Sequence, residues 1–592
     1  MGYLIGVRPV IAPMSDSGPR QRGDGSGDET ASEDGPPPIA LHLARRFVPF
    51  AVLLLFAYFT RPLWHGFVYS ILFSPAFAVL GGGSVLVATI LWFMPPLSNE
   101  SGPDQRSQFQ ADRPQSIFDA VLESEGGDNR KVRIFFGVLA VLFVLSILVN
   151  VPAGLLEQRT LAQQTMASAE EVEEFPQANP ANPRVVPRQV ADITTRGSVS
   201  YRQHRLGPSD IARMENGALA WSYAIQPDGF RNMLIEHQRG VLVTDMTKME
   251  DRQIDVYEEE FRFGEGMLLH RSAEWNLKTS DFIARYDDRP VEFSHDGNPY
   301  MYYPKTGHDW HLAPFPHTTP TWIGGALVHP DGEIEHLSPA EAQSHPILEG
   351  QRLYPVTITR AEMGSLGFRN GIINQFSIVG AHEGEVEMAR LPSGVDNAQP
   401  FVIDLEGEQM SYVTALEPYG EDTRGLDEVW FANAETGAYT FFGTDDETLT
   451  GPERAMGIAR SSDSRTNWGQ NFVVTEPVPV TIDDELWWHI KVSPTDFTDV
   501  TRNVFVNADT SRTVEIRDDE AVRSFISGSL ADEDLQPIED GGEQTDEEAI
   551  YYILITDGEG NVVDRIPVEP GQEARIVGPS GGGAENTTTA SG

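Results

Sequence analysis

Seven of the chain's 14 histidines (His295, His308, His311, His317, His329, His336 and His345) fall within a window of 51 residues. Two of them, His308 and His311, bracket an aspartate and a tryptophan in the phrase GHDWH. Imidazoles three positions apart beside a carboxylate are a ligand set for zinc or a similar ion, and a chain without cysteine has only His, Asp and Glu to offer. A metal ion held at His308 and His311 would point to a metal-dependent extracellular hydrolase using the region 295–345. No HExxH motif accompanies them, so the same residues also read as polar positions scattered over strands and proline-rich loops. No other cofactor is expected.

Other chemistry is harder to place. There is no GxSxG elbow, no phosphate-cradling GxxxxGK[ST] loop and no GxGxxG after a strand. With 88 acidic residues, any acid/base dyad picked from the sequence would be arbitrary. The acidic turns at Asp445, Asp446 and Glu447 and at Asp557, Glu559 and Asn561 suit hairpin turns better than calcium, since Val562 stands where a helix-loop-helix calcium loop requires glycine. Aromatic residues offer a binding platform instead, with Tyr302, Trp310, Trp322, Trp487 and Trp488 as the candidates for an interface. Trp487 and Trp488 must face opposite sides of a strand, so one is expected in the core.

The net charge of −45 argues against nucleic acid, because phosphate binding needs clustered Lys and Arg. Only five lysines (Lys131, Lys248, Lys278, Lys305, Lys491) stand among 43 basic residues. Scarce lysine on an acidic surface resembles the proteins of extreme halophiles, which implies a carboxylate surface hydrated in molar salt. A disordered acidic chain is disfavoured by a 40% hydrophobic content.

Elements must position these residues, and the organising one is apolar. Ile134 to Val151 carries no charge, and at about 1.5 Å per residue it nearly crosses a hydrocarbon core of roughly 30 Å. Residues 45–96 hold one formal charge from Phe47 to Pro96, Arg61, which is room for two spans, with the turn near Arg61 and Pro62 or near Ser74 and Pro75. Gly81, Gly82 and Gly83 allow a close helix contact or a kink. Arg45 and Arg46 precede the first span, and Arg130, Lys131 and Arg133 precede the third. The positive-inside rule then puts the amino terminus in the cytoplasm and the large carboxyl-terminal part outside the cell membrane. The expected order is a disordered acidic tail (1–44), two transmembrane helices (45–96), a cytoplasmic loop (97–130), a third span (131–155), and a helix with a proline-rich spacer (156–190).

Beyond residue 190 the apolar pattern alternates, as in strands. ALAWSYAIQP (218–227) is followed by GVLVTDMT (240–247), QMSYVTALEP (409–418) by EVWFANAET (428–436), and ELWWHIKVSP (485–494) by NVFVNADT (503–510). Each has an aromatic six residues before a proline: Trp221, Tyr412 and Trp488. DGNPYMYYPKTG (296–307) with GGALVHPDGEIEHL (324–337) is a looser copy, and 551–566 reads as a further hairpin turned by Asp557 and Gly558. Helices are expected at 338–344, 452–459 and 518–526, the first with Ser338 as cap and Pro339 in the first turn. The fold class is therefore α+β, a three-helix transmembrane region followed by a β-rich ectodomain of repeated strand-pair plus helix units. Modules 1–2 are placed at 191–350, modules 3–4 at 351–530, a C-terminal hairpin at 531–577 and a disordered tail at 578–592.

The turn phrases ANAETG (432–437) and VNADTS (506–511), each after a long strand, resemble the second half of PepSY-type modules. In the second, Ser511 stands where the family pattern has glycine. The resemblance implies a small extracytoplasmic α+β module concerned with binding, regulation of secreted peptidases or envelope assembly, without catalysis. The expected function is a membrane-anchored binding or envelope-organising protein whose partners are the lipid bilayer and a protein or envelope component outside the cell. A subunit of a transport or assembly complex is the remaining reading. It requires oligomerisation, since three spans with no internal acidic residue make a poor conduit alone.

Overall fold

The computed structural model describes residues 39–94, 128–198, 201–287, 289–376, 382–391, 399–407, 409–420, 425–444, 449–463, 465–530, 551–556 and 562–568. The expectations for residues 1–38, for most of the 97–130 loop, for both acidic turns and for the two ends of the 531–592 region lie outside the described residues. The protein is mixed α and β, with its strands in several sheets.

Four helices carry the apolar sequence: α1 (Ile39–Phe59), α2 (Arg61–Phe73), α3 (Pro75–Phe93) and α4 (Asp128–Ser168). Among the described residues, Pro75–Phe93 and Arg130–Ser168 are each long and apolar enough to cross a membrane. A third span exists only if Arg45–Phe59 and Arg61–Phe73, which are bent by 96° at their junction, are counted as one. Residues 45–96 thus hold one unbroken apolar helix and one bent pair. Proline occupies the first turn of both α2 and α3, where its missing N–H costs nothing; the helix breaks at Thr60, next to the expected Arg61–Pro62 turn, and at Ser74. The close helix contact expected of the three glycines is present, since a Cβ on Gly83 would lie 3.0 Å from the Leu142 side chain, and Ala78–Gly82 forms a π turn.

The chain divides into two units, Met1–Phe56 with Thr89–Lys131, and Ala57–Ala88 with Val132–Gly592. In the first, Arg46 donates to the Trp92 carbonyl at 2.9 Å and lies 5.2 Å over its ring. Lys131 donates to the carbonyls of Leu91 at 3.2 Å and Met94 at 2.6 Å, placing a cation at the negative end of α3. The basic starts of α1 and α4 thus gather at the end of α3.

In the second unit α4 runs through Pro152 to Ser168 and is followed by β1 (Glu170–Glu171). Residues 172–187 then form a strap, inlaid where a spacer was expected. Phe175, Ala178, Val185 and Val186 are buried, Val185 and Val186 both donate their backbone N–H to Met246, and Arg184 pairs with Glu476 at 2.9 Å. Its prolines remove backbone donors that a packed coil could not satisfy, which is why an extended segment can lie in the core.

Four sheets follow, each preceded by a helix and antiparallel except for one strand of the third. α5 (Arg188–Ser198) leads to β2 (His204–Leu206), β3 (Asp210–Arg213), β4 (Leu219–Pro227), α6 (Phe230–Ile235), β5 (Gln238–Asp245) and β6 (Ile254–Phe261), in the order β2/β3–β4–β5–β6. α7 (Ala273–Ser280) leads to β7 (Arg285–Tyr286), β8 (Val291–His295), β9 (Asn298–His311), β10 (His317–Val328) and β11 (Ile334–Leu337), ordered β7/β8–β9–β10–β11 and followed by α8 (Pro339–Gln343). The expected cap is present there, for Ser338 and Glu341 form a reciprocal capping box.

The third sheet follows α9 (Val356–Ser365) and contains β12 (Val386–Met388), β13 (Phe401–Leu405), β14 (Gln409–Pro418), β16 (Glu428–Asn433) and β17 (Tyr439–Gly443), with β1 added in parallel on β17. A two-stranded sheet, β15 (Gly425–Leu426) with β18 (Leu449–Thr450), lies beside it in sequence. The fourth follows α10 (Pro452–Ser461) as β19 (Phe472–Ile482), β20 (Glu485–Pro494), β21 (Arg502–Asn507) and β22 (Thr513–Ile516), with α11 (Asp519–Ile526) after it and Asp518 capping α11. β23 (Tyr551–Thr556) and β24 (Val562–Val568) pair antiparallel.

Every hairpin phrase read from the sequence falls on adjacent strands of one sheet: β4–β5, β14–β16 and β20–β21, with β9–β10 as the looser case. The aromatic six residues before the proline, Trp221, Tyr412 or Trp488, is buried in each. The sheets share cores instead of folding alone. One apolar cluster joins Trp221 and Tyr223 of the first sheet, Tyr412 and Trp430 of the third, Trp487 and Phe505 of the fourth, and the strap. A second places α10 against both the third and fourth sheets.

Candidate functional site

His308 and His311 both lie on β9. Side chains three apart on a strand point to opposite faces, whereas the same spacing on a helix brings them together. His308 faces α2: its Nδ1 is 2.8 Å from the Tyr69 hydroxyl, which also lies 3.2 Å from the Thr306 carbonyl. Burial and the nearby Arg285 guanidinium hold the His308 pKa down at about 4, so the ring is neutral at ordinary pH. His311 faces the other way, 2.9 Å from Thr319 Oγ1 and stacked on His317 with ring centroids 5.0 Å apart. The Nδ1 of His317 donates to the Phe315 carbonyl at 2.8 Å, and its Nε2 is 2.8 Å from Thr160 Oγ1. β9 thus does not bring the rings of His308 and His311 together. Among the described residues no group of three or more metal-capable side chains converges.

The five candidate aromatics separate in the same way. Tyr302, Trp487 and Trp488 are buried, because the sheets that carry them are covered on both faces. Trp488 packs on the α10 side and Trp487 against Phe525 of α11, ring centroids 5.3 Å apart. Trp322 is half-buried, edge-on to Tyr354 and donating to the Gly324 carbonyl at 2.8 Å. Trp310 alone of the five is exposed, at 42%.

The structure builds an open polar site elsewhere. A groove of about 440 Å³ is lined by Asn179 and Asn182 of the strap, Asn216 in the β3–β4 turn, Asp245 and Lys248 at the end of β5, and Arg523 of α11. Its two strap asparagines are held by a buried carboxylate, Asp404 at the end of β13. Asp404 accepts from Asn179 Nδ2 at 2.9 Å, from Asn182 Nδ2 at 2.7 Å, and from Arg213 Nη2 at 2.6 Å. A buried ion pair carries a desolvation penalty that only further hydrogen bonds offset, and the two asparagines supply them.

At the rim Asp245 accepts from the backbone and hydroxyl of Thr247, at 2.8 and 2.7 Å, and has Lys248 Nζ 3.6 Å away. That turn-closing role leaves Thr247 without the base-and-orienter arrangement that would make its hydroxyl a nucleophile. Arg523 donates to the Thr247 carbonyl at 3.2 Å, while its buried Nε has no partner in the described structure. Two cations and several carboxamides facing an open concavity can recognise carbonyl, hydroxyl and carboxylate acceptors. Sequence reasoning missed this site because its residues are single positions in turns scattered from 179 to 523, and because the strap read as a spacer. The asparagines spaced between prolines in PQANPANP were the available signal.

No family model, no curated protein and no solved structure matches the chain.

Proposed function

We propose that the chain is a membrane-anchored extracytoplasmic protein that binds a partner or organises the envelope without catalysis, with the groove over Asp404 as its binding site. The observation that carries the reading is the groove itself: the strap, the first sheet, the β13–β14 turn and α11 each contribute to one concavity holding Lys248 and Arg523 in a chain of net charge −45. Such a concavity suits a partner segment rich in carbonyl and carboxylate acceptors. The gathering of Arg46 and Lys131 at one end of the apolar helices supports a cytoplasmic amino terminus. Four successive helix-plus-meander units of similar strand order support a repeated, PepSY-like module, and the acidic, lysine-poor surface supports a halophilic setting.

Photo-crosslinking of the full-length protein in its own membranes, kept in high salt, tests the binding reading. A photoreactive residue at Asn216 is expected to give a discrete adduct that one at exposed Glu333 does not, and the Lys248→Ala, Arg523→Ala double variant should abolish it. Equal adducts from both positions, or an Asn216 adduct indifferent to the double variant, would rule the groove out.

A further inference from the structure

The distal half of the β9–β10 hairpin is unlike the rest of the surface. From Trp310 to Ile323 there is no Asp, Glu, Lys or Arg, in a chain of which 22% is charged. At the tip Leu312 is 75% exposed, and Trp310, Ala313, Pro314 and Pro316 are exposed as well.

What covers this tip follows from where its base is held. Thr318 Oγ1 donates to the Phe73 carbonyl at 2.7 Å, His308 stacks on the Phe73 ring at 5.5 Å, and His317 meets Thr160 of α4. Phe73 is the last residue of α2, and only Ser74 separates it from the start of α3 at Pro75. Thr160 is nine residues beyond the apolar run of α4, about 14 Å along the helix. The tip therefore stands beside the ends of two long apolar helices.

Its neighbour α2 has the same unusual surface. His65 and Tyr69 are buried against the sheet domain, with His65 Nε2 2.9 Å from the Ala284 carbonyl, while Leu63, Trp64, Phe67 and Leu72 are exposed. A helix that is polar inward and apolar outward inverts the pattern expected beside water. The inversion is what a helix between a protein domain and lipid requires.

We propose that the hairpin tip Trp310–Pro316 and the outer face of α2 form one continuous surface seated in the bilayer boundary, so that the domain grips the membrane at a second place besides its spans. The occupant is the lipid itself, at the acyl–headgroup boundary where Trp and proline-bounded apolar loops sit without displacing backbone hydrogen bonds. This rests on the membrane-anchored reading above.

The chain has no cysteine, so single-cysteine variants carry one fluorophore each. The full-length protein would be labelled with an environment-sensitive dye at Leu312→Cys, at Val144→Cys on the exposed face of α4, and at Asp331→Cys in the exposed turn at the far end of β10. It would then be reconstituted in vesicles of equal parts phosphatidylcholine and phosphatidylglycerol in high salt. The Leu312→Cys dye should emit at shorter wavelength than the Asp331→Cys dye, be quenched several-fold more by a nitroxide near the top of the acyl chain, and be shielded from iodide; Pro314→Cys should repeat the result.

A Leu312→Cys dye quenched by iodide like Asp331→Cys, with Val144→Cys still quenched by lipid nitroxide, overturns the proposal and leaves the anchor intact. Shielding from both quenchers overturns it in favour of a second copy or another protein. A Val144→Cys dye indifferent to the lipid nitroxide sinks the membrane reading itself.

Discussion

Glu362 on α9 sits between two tyrosine hydroxyls, accepting from Tyr354 at 3.1 Å and from Tyr439. Burial outweighs both hydrogen bonds and raises its pKa from 4.5 to about 7. A carboxyl that binds its proton more tightly when folded contributes stability below pH 4.5 and loses it as pH rises towards 7. Glu362→Gln, a neutral isostere, should therefore match the parent near pH 4.5 and exceed it by roughly 2 kcal/mol above pH 7, once the water still reaching the side chain is allowed for. Thermal unfolding midpoints of both proteins at the two ends of that window check it, and a constant difference across the window would refute it. No sequence signal marks Glu362 among the acidic residues, since its environment is made by residues 8 and 77 positions away. The opposite holds for His308 and His311, which were conspicuous in sequence. Their spacing had a metal-binding meaning only on a helix, and the β-rich composition around them already favoured a strand.

At the scale of elements, the β9–β10 hairpin depends on a bulge. Its register shifts between Trp322 and Gly325, so the inner half lies in the core while the outer half turns towards α2 and α4. Gly324 adopts φ +97°, and a Cβ there would lie 2.0 Å from the Leu337 carbonyl oxygen. Gly324→Ala should cost about 1–3 kcal/mol, through strain and displacement of β11. Denaturant unfolding measures this, and no loss would mean that the bulge relaxes freely. The long strands β4, β14 and β20 were legible from alternation and from their shared aromatic–proline spacing. The helices after Ser338, Gly451 and Asp518 were legible from caps and first-turn prolines. The break at Thr60 was offered only as one of two turns, because hydropathy averages over a window and cannot see that a buried His65 and Tyr69 turn α2 aside.

At the scale of the whole molecule, the arrangement predicts a sidedness that can be measured. A membrane-impermeant maleimide added to intact cells should label Glu333→Cys and leave Leu43→Cys unlabelled until the cells are permeabilised; the reverse pattern would invert the topology. Global organisation was only half legible, because cores shared between sheets leave no local trace in the chain. The strap shows why this matters. Arg184 emerges from the ribosome 292 residues before Glu476, and both are buried in the finished fold. Until that partner arrives, the segment next to the last apolar helix has an unmatched charge and an unfilled slot. Folding of this domain is therefore closed by its beginning rather than its end: the first sheet can form early, but it locks to the strap after the last apolar helix only when the fourth sheet has been made.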